Sequence, residues 1–311
     1  MSNINYPLCG TNGTRNTGIP NGCVLTLENI VGFILADDGF KIPAASTTDW
    51  ATELAYLQAA TLNADASERL YPALFLEDLT DNTPATEKKK SGFGNTTHTF
   101  EQPYDFQARI ENLGVEFMKN IRAFRGKKNL RCYVVTDEMI GGYENSAGDF
   151  VPFECTFDLT QPKIGKVTAD PTMYNVEISL KDPKALTDNL VGIAIPSGVD
   201  MASELNGITD VVLTVTGGTT SITFTAVEKN TKVDFVTKYA TELMAGTLVF
   251  VNGVAKTVAS VTNGVALVSG LTAGSSVVSL VTPSALVTGG IGSATAGGYE
   301  SNEVTVTVAA A

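Results

Sequence analysis

At 311 residues the chain is about twice the usual single-domain length, and a composition 43% hydrophobic and 17% charged excludes a disordered polymer and a coiled coil. Asp plus Glu (33) exceed Lys plus Arg (21), a formal net charge of −12, so the whole molecule repels phosphate backbones and anionic membranes at neutral pH. A single histidine, His98, withdraws the commonest general base and makes a two-histidine metal site impossible, so no catalytic residue, cofactor or metal is expected.

Met1 to Gly10 contains no basic residue, the first being Arg15, and no apolar run of signal-peptide length, so export by that route is not expected. The longest apolar stretches, Val191 to Pro196 and Val277 to Val281, fall far short of the roughly 20 residues of a membrane-spanning helix. Cys9, Cys23, Cys132 and Cys155 form no C-x-x-C pair and read as buried thiols.

Residues 1–22, rich in Asn, Gly, Thr and Pro, read as an extended arm that needs a partner to become ordered. Cys23 to Leu35 alternates and then turns continuously apolar, giving a strand followed by a second strand or turn, with Asp37-Asp38-Gly39 as a turn. Thr47 to Leu62 has Thr48 or Asp49 as a cap and Trp50, Leu54 and Leu57 at helical spacing, which predicts an amphipathic helix. Tyr71 to Leu76 is a short strand. Residues 77–102 then lose periodicity and gather Pro84, Lys88-Lys89-Lys90, Gly92, Gly94 and Asn95, the pattern of a long exposed loop. Phe93 and Phe100 within it point to anchoring on another surface or to tucking back on their own domain.

Phe106 to Ile110 reads as a strand and Gly114 to Phe124 as a second helix, with Val115, Met118, Ile121 and Phe124 on one face. Lys127 to Asp137 is a buried strand, Gly141-Gly142 and Ala147-Gly148-Asp149 are turns, and Phe150 to Leu159 and Pro171 to Leu180 are alternating strands. Lys181 to Asp200, with Pro183 and Pro196, is the expected boundary, giving a β-rich assembly domain over 23–190 and a second domain over 191–311. There the composition shifts to Val, Thr, Ala, Ser and Gly. Val211 to Thr216, Ser221 to Val227, Thr247 to Val251, Val254 to Val261, Val265 to Val268, Ser276 to Thr282 and Glu303 to Val308 read as short strands, with hairpin turns at Asn252-Gly253 and Asn263-Gly264. Val233 to Met244 interrupts them as a helix carrying Phe235, Tyr239 and Leu243 on one face. The expected fold class is mainly β: an N-terminal antiparallel β domain with two helices, then a β-sandwich.

Ten of the 21 Lys and Arg fall between residues 88 and 131. Lys88, Lys89, Lys90, Phe93, Phe100, Arg122 and Arg125 are therefore candidates for a subunit interface that meets the acidic face of a neighbour; a contact to packaged DNA and a merely solvated face are the alternatives. Chemistry is poorly served. No serine has an elbow sequence around it, no glycine pair precedes the Lys-Ser/Thr of a phosphate loop, and the adjacent acids Asp37-Asp38, Glu77-Asp78 and Asp137-Glu138 point to opposite faces if they lie on strands. A hydrolase in the first domain would have to rest on Asp137 or His98.

Gly246 to Gly253 (GTLVFVNG), Thr262 to Val268 (TNGVALV), Leu271-Thr-Ala-Gly274 and Tyr299 to Val308 (YESNEVTVTV) resemble a bacterial immunoglobulin-like domain over about a third of the chain. Such domains are displayed on surface adhesins and on the outsides of phage capsids and tails. Joined to a mixed assembly-like first domain, the layout resembles a phage tail-tube or head–tail ring subunit. That resemblance implies a non-enzymatic virion protein made in the cytoplasm of a bacterial host. It would assemble with copies of itself into a ring or tube that conducts DNA, contact other virion proteins, bind no membrane and no specific nucleic acid, and display its immunoglobulin-like β-sandwich outward. A capsid decoration or fibre protein, or a surface adhesin, is the alternative.

Overall fold

The computed structural model describes residues 4–5, 29–74, 76–90, 96–111, 122–159, 173–293 and 295–310. The fold is mainly β, as the alternating patterns predict. The chain divides into two compact units, Met1–Leu57 with Leu70–Ala202, and Gln58–Arg69 with Ser203–Ala311.

The first unit is built on an eleven-stranded sheet whose hub is the strand Leu130–Thr136. Ile30–Asp37 runs antiparallel along the whole of one side, with Tyr71–Ala73 beyond it. The other side is shared, since Phe153–Leu159 pairs with Leu130 to Cys132 while Met139–Glu144 pairs at Val134 and Val135. The sheet therefore forks. One arm continues through Met173–Leu180 and Tyr104–Glu111 to Glu77–Asp81; the other continues through Leu190–Ala194 to Ile4–Asn5. A strand with neighbours on both sides and side chains covered on both faces reads as a continuous apolar run, which is why LRCYVVT was legible. One face places Cys132 and Val134 among Phe33, Phe106, Phe153 and Phe157. The opposite face carries Tyr133, stacked on Phe150 with ring centroids 5.0 Å apart and met edge-on by Phe40. Cys132 and Cys155 are fully buried thiols, while Cys9 and Cys23 lie outside the described residues.

The helix Trp50–Thr61 begins where expected, and Asp49 is its cap, accepting from the Thr52 backbone N–H and hydroxyl at 2.9 Å each. Its buried stripe is Glu53, Leu57, Ala60 and Thr61, leaving Trp50 and Leu54 half-buried. Other expectations change. The 77–102 segment holds the edge strand Glu77–Asp81 and a separate hairpin, Glu87–Lys90 with Thr96–Phe100. The consecutive Glu87, Lys88 and Lys89 are all exposed, so the described side chains of its first strand show no inside-outside alternation for a sequence to reveal. Gly141-Gly142 is not a turn but lies within Met139–Glu144, where a Cβ on Gly142 would come within 2.8 Å of the Phe150 ring and 2.7 Å of the Val151 carbonyl oxygen. Gly142 answers a packing demand rather than a turn. The expected linker holds a helix, Pro183–Asn189, capped by Asp182, and the strand Leu190–Ala194 of the first unit's sheet. In the expected arm, Ile4–Asn5 pairs with Gly192 and Ile193, and the rest of residues 1–28 lies outside the described residues. So does most of the second predicted helix, of which the description covers the turn Arg122–Phe124.

The second unit packs a five-stranded sheet (Ser260–Thr262, Val265–Ser269, Ser221–Glu228, Ile208–Gly217, Gly298–Ser301) with a four-stranded one (Val254–Lys256, Val249–Val251, Gly274–Leu280, Val304–Val308) around one hydrophobic cluster. Phe224, Val249, Ala266 and Val278 are among its buried members. Both Asn-Gly pairs form the turns expected of them: Asn252 and Gly253 have φ of 52° and 73°, Asn263 and Gly264 have 51° and 73°, positive at both central residues. The predicted strand Val254 to Val261 is two, Val254–Lys256 and Ser260–Thr262, one in each sheet. The helix predicted over 233–244 is likewise two, Phe235–Lys238 and Ala240–Ala245, broken at Tyr239. Gly298–Ser301, which pairs parallel to Ile208–Gly217, and the helix Pro283–Thr288 are additions to the sequence reading.

Candidate assembly surface

Glu77–Asp81 and Tyr104–Glu111 form an antiparallel ribbon at one end of the first unit's sheet, and the hairpin is inserted between them, at the ribbon's Asp81/Phe106 end. Leu79 holds the edge strand to the core, while Glu77, Asp78, Thr80 and Asp81 are exposed. The edge is bulged: register shifts between Glu77 and Thr80, and Asp78 takes a left-handed backbone with φ of 50°. A bulge and three acids in five residues oppose indiscriminate strand pairing along this edge. Asp78 answers Arg109 on the next strand at 2.9 Å.

Lys88, Lys89 and Lys90 lie on the hairpin's first strand, opposite Thr99, His98 and Thr96; Glu87 faces Phe100. The hairpin thus gathers four of the predicted interface residues on one element. Lys88 and Lys89 are exposed; Phe93 and the side chains of Lys90 and Phe100 lie outside the described residues. Arg122 and Arg125 sit elsewhere, flanking a turn anchored by Phe124, whose ring packs edge-on to Tyr71 at 4.9 Å. Arg122 is exposed, and Arg125 reaches Asp158 at 2.7 Å.

Within the basic tract Arg109, Arg125, Lys127 and Arg131 pair with nearby acids. Lys127 pairs with Asp37, and Arg131 holds Asp38 at 2.7 Å and Glu154 at 3.2 Å. The Arg131 hydrogen bond and charge keep the Asp38 carboxyl below its ordinary range. Part of the clustering seen in sequence is therefore neutralised within the fold, and Lys88 and Lys89 lie exposed on the hairpin.

The densest polar cluster was not legible in sequence. Glu228, 4% exposed, ends a strand of the second unit; its Oε1 accepts from Lys238 Nζ at 2.8 Å and from the Tyr299 hydroxyl at 3.1 Å, and Thr231 donates to Oε2. Lys238 Nζ also lies 2.9 Å from the Tyr299 hydroxyl, which is 3.0 Å from that of Tyr239. Burial pushes the Glu228 carboxyl upward, but the bonds from Lys238 and Thr231 outweigh it and hold the group below its usual range. Tyr299 is pushed up to about 12, chiefly by burial, and the Glu228 hydrogen bond raises Lys238 further. Neither Lys238 nor Tyr299 is poised as a base near neutrality, and their bonds to Glu228 fasten the helix Phe235–Lys238 to two strands.

Asp137, considered with His98 for hydrolysis, accepts from Asn29 Nδ2 at 3.2 Å in an exposed turn. Among the described residues, no group of three His, Cys, Asp or Glu side chains is arranged to hold a metal ion. A cavity of about 100 Å³ lined by Asp78, Thr80, Gln107, Arg109 and Asn175 is well below the roughly 300 Å³ at which small-molecule sites begin. No helix of the described residues is long and apolar enough to cross a membrane. No family model matches the chain, and no curated protein matches it.

Proposed function

We propose that this protein is a non-enzymatic phage virion component, a tail-tube or head–tail ring subunit. Copies of its first unit join into a closed ring or tube that lets DNA pass, and its second unit is an outward-displayed module of the bacterial immunoglobulin-like kind. The observation that carries the reading is the hairpin Glu87–Lys90/Thr96–Phe100, a two-stranded sheet of its own set outside the eleven-stranded one. A two-stranded hairpin is marginal by itself in water, and contact with a neighbouring copy supplies the burial that stabilises it. The sequence resemblance of the second unit supports the virion setting, and its two-sheet architecture is compatible with it.

Light scattering and negative-stain microscopy of the purified full chain test this. Rings or tubes are expected at micromolar concentration, and replacing residues 84–102 by a short Gly-Ser turn is expected to lower the assembled fraction by roughly tenfold or more. Persistent monomers of the unaltered chain, or full assembly without the hairpin, would overturn it.

A second reading, a decoration or adhesive protein, draws on the outer face of the five-stranded sheet. There the cross-strand pairs Val212–Val227, Thr214–Thr225 and Thr216–Thr223 form an uncharged surface on an acidic chain. Such a face suits a neutral partner.

A further inference from the structure

We infer that the hairpin's partner is the acidic edge strand Glu77–Asp81 of a second copy, with Lys88 and Lys89 meeting Glu77 and Asp81. This rests on the assembly reading above and gives it a specific contact. All four side chains are exposed, and the two elements carry opposite charge: EKKK on the hairpin's first strand, EDLTD on the edge strand. Within one chain the hairpin leaves from the Asp81 end of the ribbon. Donor and acceptor are different patches of the same chain, and under the assembly reading they pair head to tail, the heterologous contact that propagates around a ring or along a tube.

The form of the edge says how the contact is made. The bulge at Asp78 interrupts the register between Glu77 and Thr80, so the strand does not present a regular row of backbone groups for a continuous ladder. Recognition falls instead to side-chain charge. Asp78 is engaged by Arg109, and Asp81, which accepts from the Thr83 backbone N–H and hydroxyl through one oxygen, stays exposed with Glu77 on either side of that ion pair. Contacts of this kind set orientation and exclude wrong registers, because like charges brought together are repelled, and they weaken as salt shortens the screening length from about 10 Å at 0.1 M to about 3 Å at 1 M.

The test is a charge exchange in the full chain, read by sedimentation velocity and microscopy, with circular dichroism confirming that each variant is folded. Lys88→Glu with Lys89→Glu, and separately Glu77→Lys with Asp81→Lys, are each expected to reduce assembly by roughly tenfold or more. The variant carrying all four changes is expected to recover assembly to within about threefold of the parent chain, since attraction is restored with reversed sign. Recovery cannot come from a variant that merely misfolds. If the parent assembles and the edge-strand variant assembles equally well, or the four-fold variant is folded yet stays dispersed, this pairing is wrong while the assembly reading survives. If the parent itself stays monomeric, both fall.

Discussion

Replacing Phe150 with alanine is expected to destabilise the first unit by about 4 kcal/mol, lowering its melting temperature by on the order of 10 °C. The ring is fully buried, stacks on Tyr133, and occupies the space that Gly142 leaves by having no side chain. Its backbone anchors remain in the variant, because Phe150 N–H donates to the Ile42 carbonyl at 2.9 Å and its own carbonyl accepts from Ile42 N–H at 2.8 Å and from the Tyr133 hydroxyl at 2.9 Å. The loss therefore reports side-chain packing alone. Urea titration followed by circular dichroism measures it, with Phe150→Leu as the milder companion. A loss below about 1 kcal/mol would mean that the neighbours close over the vacated space and that Gly142 is not there to seat the ring.

Lys238→Met is expected to cost the second unit about 2 kcal/mol and to reshape its stability against pH. Removing the ammonium leaves the buried Glu228 carboxylate with Thr231 and Tyr299 as partners. The effect falls below what breaking a fully buried ion pair costs, because the Lys238 side chain is 41% exposed. The signs follow from the shifts. Glu228 is held below 4.5, so its contribution is present above that value and lost as pH falls through the folded-state value. Lys238 is raised above 10.5 and Tyr299 above 10, so their contributions are present below those values and lost as pH rises further. The parent should show a plateau between about pH 5 and pH 9 with declines on both sides. In the variant the acid decline should be shallower, since Glu228 has lost the partner that does most to hold its folded-state value down and so takes up fewer protons on unfolding. Melting temperatures across pH 3 to 11 decide it, and superimposable profiles would show that the ion pair contributes nothing.

Both clusters show where sequence reasoning reaches and where it stops. The strands of the second unit were readable because each buries one face and is punctuated by turn residues whose backbone demands are local, as at Asn252-Gly253 and Asn263-Gly264. Gly141-Gly142 looked the same on paper. Its Gly142 answers to a phenyl ring eight residues away in sequence, and no local rule distinguishes that requirement from a turn. Lys127, Arg131, Asp37 and Asp38 read as a basic tract and an acidic pair; their mutual neutralisation needs Ile30–Asp37 laid beside Leu130–Thr136. Glu228, Lys238 and Tyr299 are separated by 10 and 61 residues along the chain, and no spacing rule joins them.

By itself, the sequence determined that this protein is mainly β, where most of its strands and tight turns fall, and that histidine-based chemistry has almost nothing to work with. Those properties follow from composition and from the period of side-chain burial, which every residue carries locally. Only the tertiary structure decided that Glu77–Asp81 is an acidic edge strand and that Glu87–Lys90 pairs with Thr96–Phe100 in a basic hairpin, and which charges are already matched. Pairing between strands far apart in the chain creates an edge, and the energy of a charge depends on what the fold places beside it.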